Sequence, residues 1–209
     1  MTVPTPDPDG GPAAPAEAAT AVARLVLDAL PAHRGPGPFV LGIDGRSGAG
    51  KSDLAAAVLP LLRARLGDDA VAGLALEEAY RGWHGLAAGV EAVAEGVLAP
   101  LAQGRPGAVR RYDWVAGVLD GDVVVPAPGA PLPRVLVVEG CGAGAAACAP
   151  FVHRLVWLEA PEAVRRQRAM ARDTSSWAHL WAAWEAQEQE LLEARDARAA
   201  ADLVIRTGR

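Results

Sequence analysis

Phe39-Val40-Leu41-Gly42-Ile43-Asp44-Gly45-Arg46-Ser47-Gly48-Ala49-Gly50-Lys51-Ser52 is the stretch that decides how this chain is read. Its first half is a short apolar run of the buried-strand kind. From Gly45 to Ser52 it fits G-x-x-x-x-G-K-[ST] at every fixed position. A helical pattern follows through about Leu66, so the motif lies between a strand and a helix, the setting its chemistry requires. Glycines let backbone N–H groups turn inward around an anion, and the following helix points its positive end at the same place. The expectation is a phosphate cradle made of Gly45, Ser47, Gly48, Ala49, Gly50, Lys51 and Ser52. In such a cradle Lys51 reaches the terminal phosphates of a nucleotide, and the Ser52 hydroxyl ligates Mg²⁺.

Composition sharpens the reading of Lys51. The chain has 209 residues, with 20 basic residues against 25 acidic ones and a net charge of −5. All the basic residues but Lys51 are Arg, and there is no Asn, the usage of a GC-rich coding sequence. A lone lysine at the end of a phosphate loop is a residue with a task, because a compact ammonium fits there and a planar guanidinium does not. The acidic balance argues against a general nucleic-acid or membrane-surface binder. No apolar stretch reads as a transmembrane helix, and the first residues do not read as a secretory signal, so a cytoplasmic protein is expected. Cys141 and Cys148 have neither disulfide-framework nor metal-ligand spacing and read as small buried side chains. His33, His84, His153 and His179 are scattered and suggest no metal cluster.

Outward from the loop, strands alternate with helices. Residues 1–16 hold five prolines and read as a disordered leader, and 17–209 as a single domain. Glu17 to Leu30 reads as a helix, and Val71 to Leu76 as a second strand. Leu86 to Gln103 reads as a helix weakened by Gly89 and Gly96. Val109–Tyr112 and Val123–Val125 are short strand candidates in a loop-rich segment. Arg134–Glu139, Arg154–Leu158 and Leu203–Ile205 complete the strands; Pro161 to about Arg172 and Trp177 to about Ala200 are helical. This predicts an α/β fold: a mainly parallel five-stranded sheet flanked by helices, with a helical lid.

Absent Asn excludes a Ras-type guanine-reading motif, and the L-S-G-G-Q segment of transporter ATPases is missing as well. A small phosphotransferase remains. Ile43-Asp44-Gly45-Arg46-Ser47-Gly48-Ala49-Gly50-Lys51-Ser52 resembles the phosphate loop of the uridine kinase, phosphoribulokinase and pantothenate kinase superfamily. Later segments fall in the same order as in that superfamily. Leu76-Glu77-Glu78-Ala79-Tyr80 resembles the segment with its catalytic acid and a substrate-side Tyr. Arg111-Tyr112-Asp113-Trp114 resembles its Tyr-Asp-aromatic pocket segment. Val137-Val138-Glu139-Gly140 resembles its strand-end acid beside Mg²⁺, and Arg165-Arg166-Gln167-Arg168…Arg172-Asp173 its arginine-bearing lid. The short form, with Tyr80-Arg81-Gly82-Trp83, looks most like uridine-kinase-like ATP-binding proteins of actinobacteria. Glu77 stands where that superfamily usually has Asp, and the His that follows its Tyr-Asp-aromatic segment is absent here.

The resemblance implies ATP and Mg²⁺ as cofactors and phosphoryl transfer to a hydroxyl of a small molecule, a nucleoside foremost. Lys51, Arg165, Arg168 and Arg172 would neutralise developing charge, and Glu77, or alternatively Glu78, would take the acceptor's proton. Ser52 and Glu139 would hold the metal. Glu78, Tyr80, Trp83, Arg111, Tyr112, Asp113 and Trp114 would meet the acceptor. The alternative is an ATP-binding regulatory or partner-binding protein without kinase turnover. Trp177, Trp181 and Trp184 form one helical stripe that reads as core or interface and leaves a homodimer open. Glu185, Glu188, Glu190 and Glu193 read as that helix's solvated face.

Overall fold

The computed structural model describes residues 15–172, with the side chain of Arg172 excepted, and 178–208. A parallel sheet of five strands runs through it in the order β2-β5-β1-β6-β7. Its strands are β1 (Phe39–Gly45), β2 (Val71–Ala75), β5 (Val135–Glu139), β6 (Arg154–Glu159) and β7 (Leu203–Arg206). The α/β expectation holds. Two further strands, β3 (Gly107–Asp113) and β4 (Val118–Val125), pair with each other in an antiparallel hairpin outside that sheet.

Alternation within the strands sorts the core into two layers, because successive side chains leave a strand on opposite faces. Phe39, Leu41 and Ile43 of β1 and Val135 and Val137 of β5 face α1 (Pro15–Ala29) and α2 (Lys51–Leu66), against Val22, Val26, Leu54, Val58 and Leu62. Val40, Leu136 and Val138 face the other way, against α3 (Leu86–Val93), a π turn at Ala94–Leu98 and α4 (Ala99–Ala102). Both faces are covered, so β1 and β5 must be apolar through their length, as they are up to Asp44 and Glu139 at their carboxyl ends.

Several boundaries differ from expectation, each for a local reason. α1 begins at Pro15 rather than Glu17; proline suits a first helical turn. The segment that reads as loop-rich is largely the β3–β4 hairpin, whose tip is turned by Asp113, its Oδ1 accepting the N–H groups of Val115 and Ala116 at 2.8 and 2.9 Å. The helix α5 (Glu162–Arg172) starts just past Pro161. α6 covers Trp181–Ala194 and stops well short of Ala200, because Arg195 turns extended and Asp196 accepts the Ala199 N–H in a turn of its own. Trp177 lies outside the described residues. Gly89 and Gly96 do not merely weaken their helix: a Cβ there would meet Tyr80 Cα at 2.6 Å and the Ala108 carbonyl oxygen at 2.5 Å, so they let the hairpin and the Tyr80 segment dock.

The carboxyl ends of β1, β2 and β5 lie side by side. Ile43 and Ala75 both stand in register with Glu139. Ligand sites of open parallel sheets form at such an edge.

Candidate active site

β1 delivers the loop Gly45–Gly50 directly to that edge. Gly45, Gly48 and Gly50 have φ of 147°, 79° and 95°, the half of conformational space that favours glycine. Space supplies a second reason at Gly48, where a Cβ would lie 2.1 Å from the Arg165 carbonyl oxygen of α5. At Gly50 a Cβ would meet nothing, so the loop is open there. Lys51 and Ser52 then open α2, whose first-turn N–H groups have no partner inside the helix.

The Lys51 side chain is buried, and its ammonium donates to the Arg46 carbonyl and to Cys141 Sγ, both at 3.2 Å. Burial disfavours its charge, but Cys141 and then the carboxylates of Glu188 and Asp44 more than offset this and hold its pKa above the ordinary lysine value. Burial pushes the Cys141 thiol up to about 12, so at neutral pH it stands as a neutral S–H. That S–H donates to Glu188 Oε1 at 3.2 Å.

Asp44, which sequence reading passed over, anchors the floor. It is 3% exposed. Its carboxylate accepts three backbone N–H groups, from Gly45 at 2.7 Å, Gly142 at 2.9 Å and Gly144 at 2.8 Å. Burial raises its pKa against the pull of those bonds and of Lys51. The glycine-rich run after β5 therefore wraps this carboxylate and joins the β5 loop to the phosphate loop. An Asp inside an apolar strand was the available signal, since a buried charge must be satisfied.

A cavity of about 890 Å³ spreads from the loop across the sheet edge. Gly48, Lys51 and Ser52 line it together with Glu77, Tyr80, Trp83, Trp114 and Trp184. Ser47, Gly50, Glu139 and Arg168 also border it. Ser52 Oγ donates to Glu139 Oε1 at 3.0 Å, so two hard oxygens from α2 and β5 meet beside the loop. The aromatic wall is continuous: Trp83 packs edge-on against Trp114 at 5.3 Å and Trp184 at 5.8 Å, and Tyr80 against Trp184 at 5.4 Å. The Tyr80 hydroxyl donates to the Cys141 carbonyl at 2.9 Å, and Trp114 Nε1 donates to the Glu77 carbonyl at 3.1 Å. That last bond ties the hairpin to the segment after β2.

The expected residues do not all gather here. Glu77 lines the cavity and Glu78 does not. Tyr112 backs Trp114 at 5.2 Å rather than bordering the cavity, and Asp113 turns the hairpin tip. Arg111 is exposed on the hairpin, its Nε donating to the Asp120 carbonyl at 3.4 Å. Arg165 is not a free lid cation: it is 6% exposed and donates to the Ser47 carbonyl and to Glu185, both at 3.2 Å. Arg168 borders the cavity, with NH1 donating to Thr207 Oγ1 at 3.3 Å. The N–H groups of Ser47 and Ala49, both assigned to phosphate by sequence, have protein partners: Glu188 Oε1 at 2.7 Å and the Arg46 carbonyl at 3.1 Å.

Glu188 corrects the reading of α6. It is 3% exposed, not part of a solvated face, whereas Glu190 and Glu193 are exposed. Its position continues the tryptophan stripe, since Trp181, Trp184 and Glu188 stand at i, i+3 and i+7. That spacing was legible; the charge hid it.

Solved structures share this fold. A possible uridine kinase from Bacillus stearothermophilus superposes with a TM-score of 0.63 at 20% identity, over 90% of this chain and 97% of that one. A protein from Silicibacter sp. TM1040, provisionally assigned as a fructose transport system kinase, gives 0.54 at 21% identity over 88% and 98%. Likeness at these identities establishes the fold. No protein-family model matches the chain, and no curated protein matches it in sequence.

Proposed function

We propose that the chain is an Mg·ATP-dependent phosphotransferase acting on a hydroxyl of a small molecule, with a uridine-kinase-like nucleoside acceptor favoured. One observation carries the proposal: a single cavity joins the phosphate loop, the Ser52–Glu139 oxygen pair, the Glu77 carboxylate and an aromatic wall. The donor set fits the implied partners. Two hard oxygens beside a phosphate cradle suit Mg²⁺, which keeps few protein ligands and completes its shell with water and phosphate oxygens. When bound, Mg·ATP supplies the transferable phosphoryl group and the cation that spreads its charge.

The protein's own part is positioning and charge. The open side of the loop and the first turn of α2 present N–H groups to the phosphates, and Lys51 adds an ammonium held in place by the Arg46 carbonyl and Cys141. Ser52 and Glu139 would hold the metal. Glu77 would accept the proton of the acceptor hydroxyl, and Trp83 and Trp114 offer faces and edges to a flat ring. Arg168, at the rim, would add positive charge; Arg165 acts from beneath by fixing the loop. No helix among the described residues is long and apolar enough to cross a membrane.

The test is ADP formation from Mg·ATP across nucleosides, pantothenate, ribulose 5-phosphate and other small alcohols, with Lys51→Ala as the blank. The expected outcome is one acceptor class that raises the rate, and a Lys51→Ala protein that stays at background with every acceptor. Nucleotide binding with no acceptor-stimulated ADP would instead favour a regulatory, partner-binding protein.

A further inference from the structure

Every polar group of Ser47 is held from α5 or α6. Its N–H donates to Glu188 Oε1 at 2.7 Å, its Oγ accepts from Trp184 Nε1 at 2.8 Å, and its carbonyl accepts from Arg165 at 3.2 Å. Glu188 is the centre of this clasp. The same Oε1 also accepts from Trp184 Nε1 at 3.1 Å and from the Cys141 thiol at 3.2 Å. That thiol in turn accepts from the Lys51 ammonium at 3.2 Å. One buried carboxylate oxygen thus touches the crown of the phosphate loop directly and its lysine through one sulfur.

We infer that Glu188 is a positioning residue for nucleotide binding, its carboxylate fixing Ser47 and, through Cys141, the Lys51 ammonium where phosphates are received. The inference rests on the nucleotide-binding reading above. Its chemical logic is that a carboxylate is costly in a buried place unless donors satisfy it. α6 has no packing need for an acid among Trp181, Trp184 and Leu191; an apolar side chain would serve packing alone. The donors that reach Glu188, all of them on Oε1 while Oε2 is buried without a hydrogen-bond partner, belong to the loop and its neighbours, so the buried carboxylate holds the loop in one conformation before phosphate arrives. A preformed cradle spares the nucleotide the cost of ordering it.

The experiment is calorimetric titration of the full chain with Mg·ADP, beside thermal unfolding without nucleotide. Unsubstituted protein, Glu188→Ala, Glu188→Gln and the exposed control Glu190→Ala are compared. The expected result is a Kd raised on the order of tenfold or more in Glu188→Ala, the scale of lost hydrogen bonds to a charged acceptor. Glu188→Gln, whose amide oxygen can still take the Ser47 N–H, returns to within about threefold, and Glu190→Ala is unchanged. If Glu188→Ala does not fold, Trp184→Phe is read instead; it keeps the ring and deletes the donor to Ser47 and Glu188, and a several-fold weaker Kd is expected. A folded Glu188→Ala or Trp184→Phe that binds Mg·ADP as well as or better than unsubstituted protein overturns the inference. A Gln variant as weak as Ala overturns it too. Failure of the unsubstituted chain to bind Mg·ADP overturns the nucleotide reading itself, before any variant is compared.

Discussion

Glu77 and Glu78 are adjacent, equally acidic and indistinguishable by residue type. Both are exposed, but the turn after β2 separates them: Glu77 borders the cavity and Glu78 does not. Glu77→Gln is therefore expected to lower kcat by about 10²- to 10⁴-fold with ATP binding retained, the range of a lost general base. Glu78→Gln should stay within a few-fold of the unsubstituted rate. Steady-state kinetics on the acceptor identified by the panel, with nucleotide affinity measured alongside, checks both. Equal loss in the two variants would remove Glu77 from the role of base. Asp44 shows the same principle from the inside. Its three backbone donors come from two loops about a hundred residues apart, so its task is visible only once β1 and β5 stand side by side.

Among the elements, α5 and the phosphate loop are locked by contact of backbone on backbone. Gly48 has φ of 79° and presses against the carbonyl of Arg165, and Arg165 returns a hydrogen bond to Ser47. Gly48→Ala would add both an unfavourable conformation and a clash. It is expected to destabilise the fold by about 2 kcal/mol or more, read as a lower urea midpoint. Mg·ADP affinity should fall with it, because α5 must shift or the loop must open. Gly67 is a useful control, since it too has positive φ but a Cβ there would meet nothing. Gly67→Ala should show the conformational cost alone, a smaller loss without a change in nucleotide affinity.

At the scale of the whole molecule, the amino ends of β1 and β6 carry a second polar feature, away from the site. His153 Nδ1 accepts the Val40 N–H at 3.0 Å, its ring stacks on Phe39 at 5.1 Å, and the His33 ring lies 4.5 Å away. Desolvation first, then the charges of His33 and Arg154, hold its pKa below the ordinary histidine value of 6.5. The unfolded chain then binds a proton more readily than the native one as pH falls below about 6.5, so stability is lost in that window and is full above it. The urea midpoint should fall between pH 7.5 and pH 5, and fall less in His153→Gln, whose amide oxygen can keep the Val40 bond without titrating. Glu159, lowered by its hydrogen bonds to Arg198 and Arg206, loses its contribution only below about 4.5 and stays outside this range. An equal fall in both proteins would exclude His153 as the source.

What the sequence by itself determined is what is local along the chain. The glycine spacing, the lone lysine, the continuous apolar runs of β1 and β5 and the alternation of strand and helix each act within a few residues. Together they specified a parallel sheet with a phosphate loop at its edge. The tertiary structure alone decided which side chains meet. Glu188 looked solvated because glutamates at 185, 190 and 193 surround it, yet packing of the tryptophan stripe carries it under the loop. Arg165 looked like a free cation because a basic helix face is usually wet, yet α5 docks that face on Ser47 and Glu185. Arg111 and Trp114 are three residues apart, but the hairpin sends one to solvent and the other to the cavity wall. Burial and hydrogen-bond satisfaction depend on partners distant in sequence, and only the packed sheet and its helices bring those partners within reach.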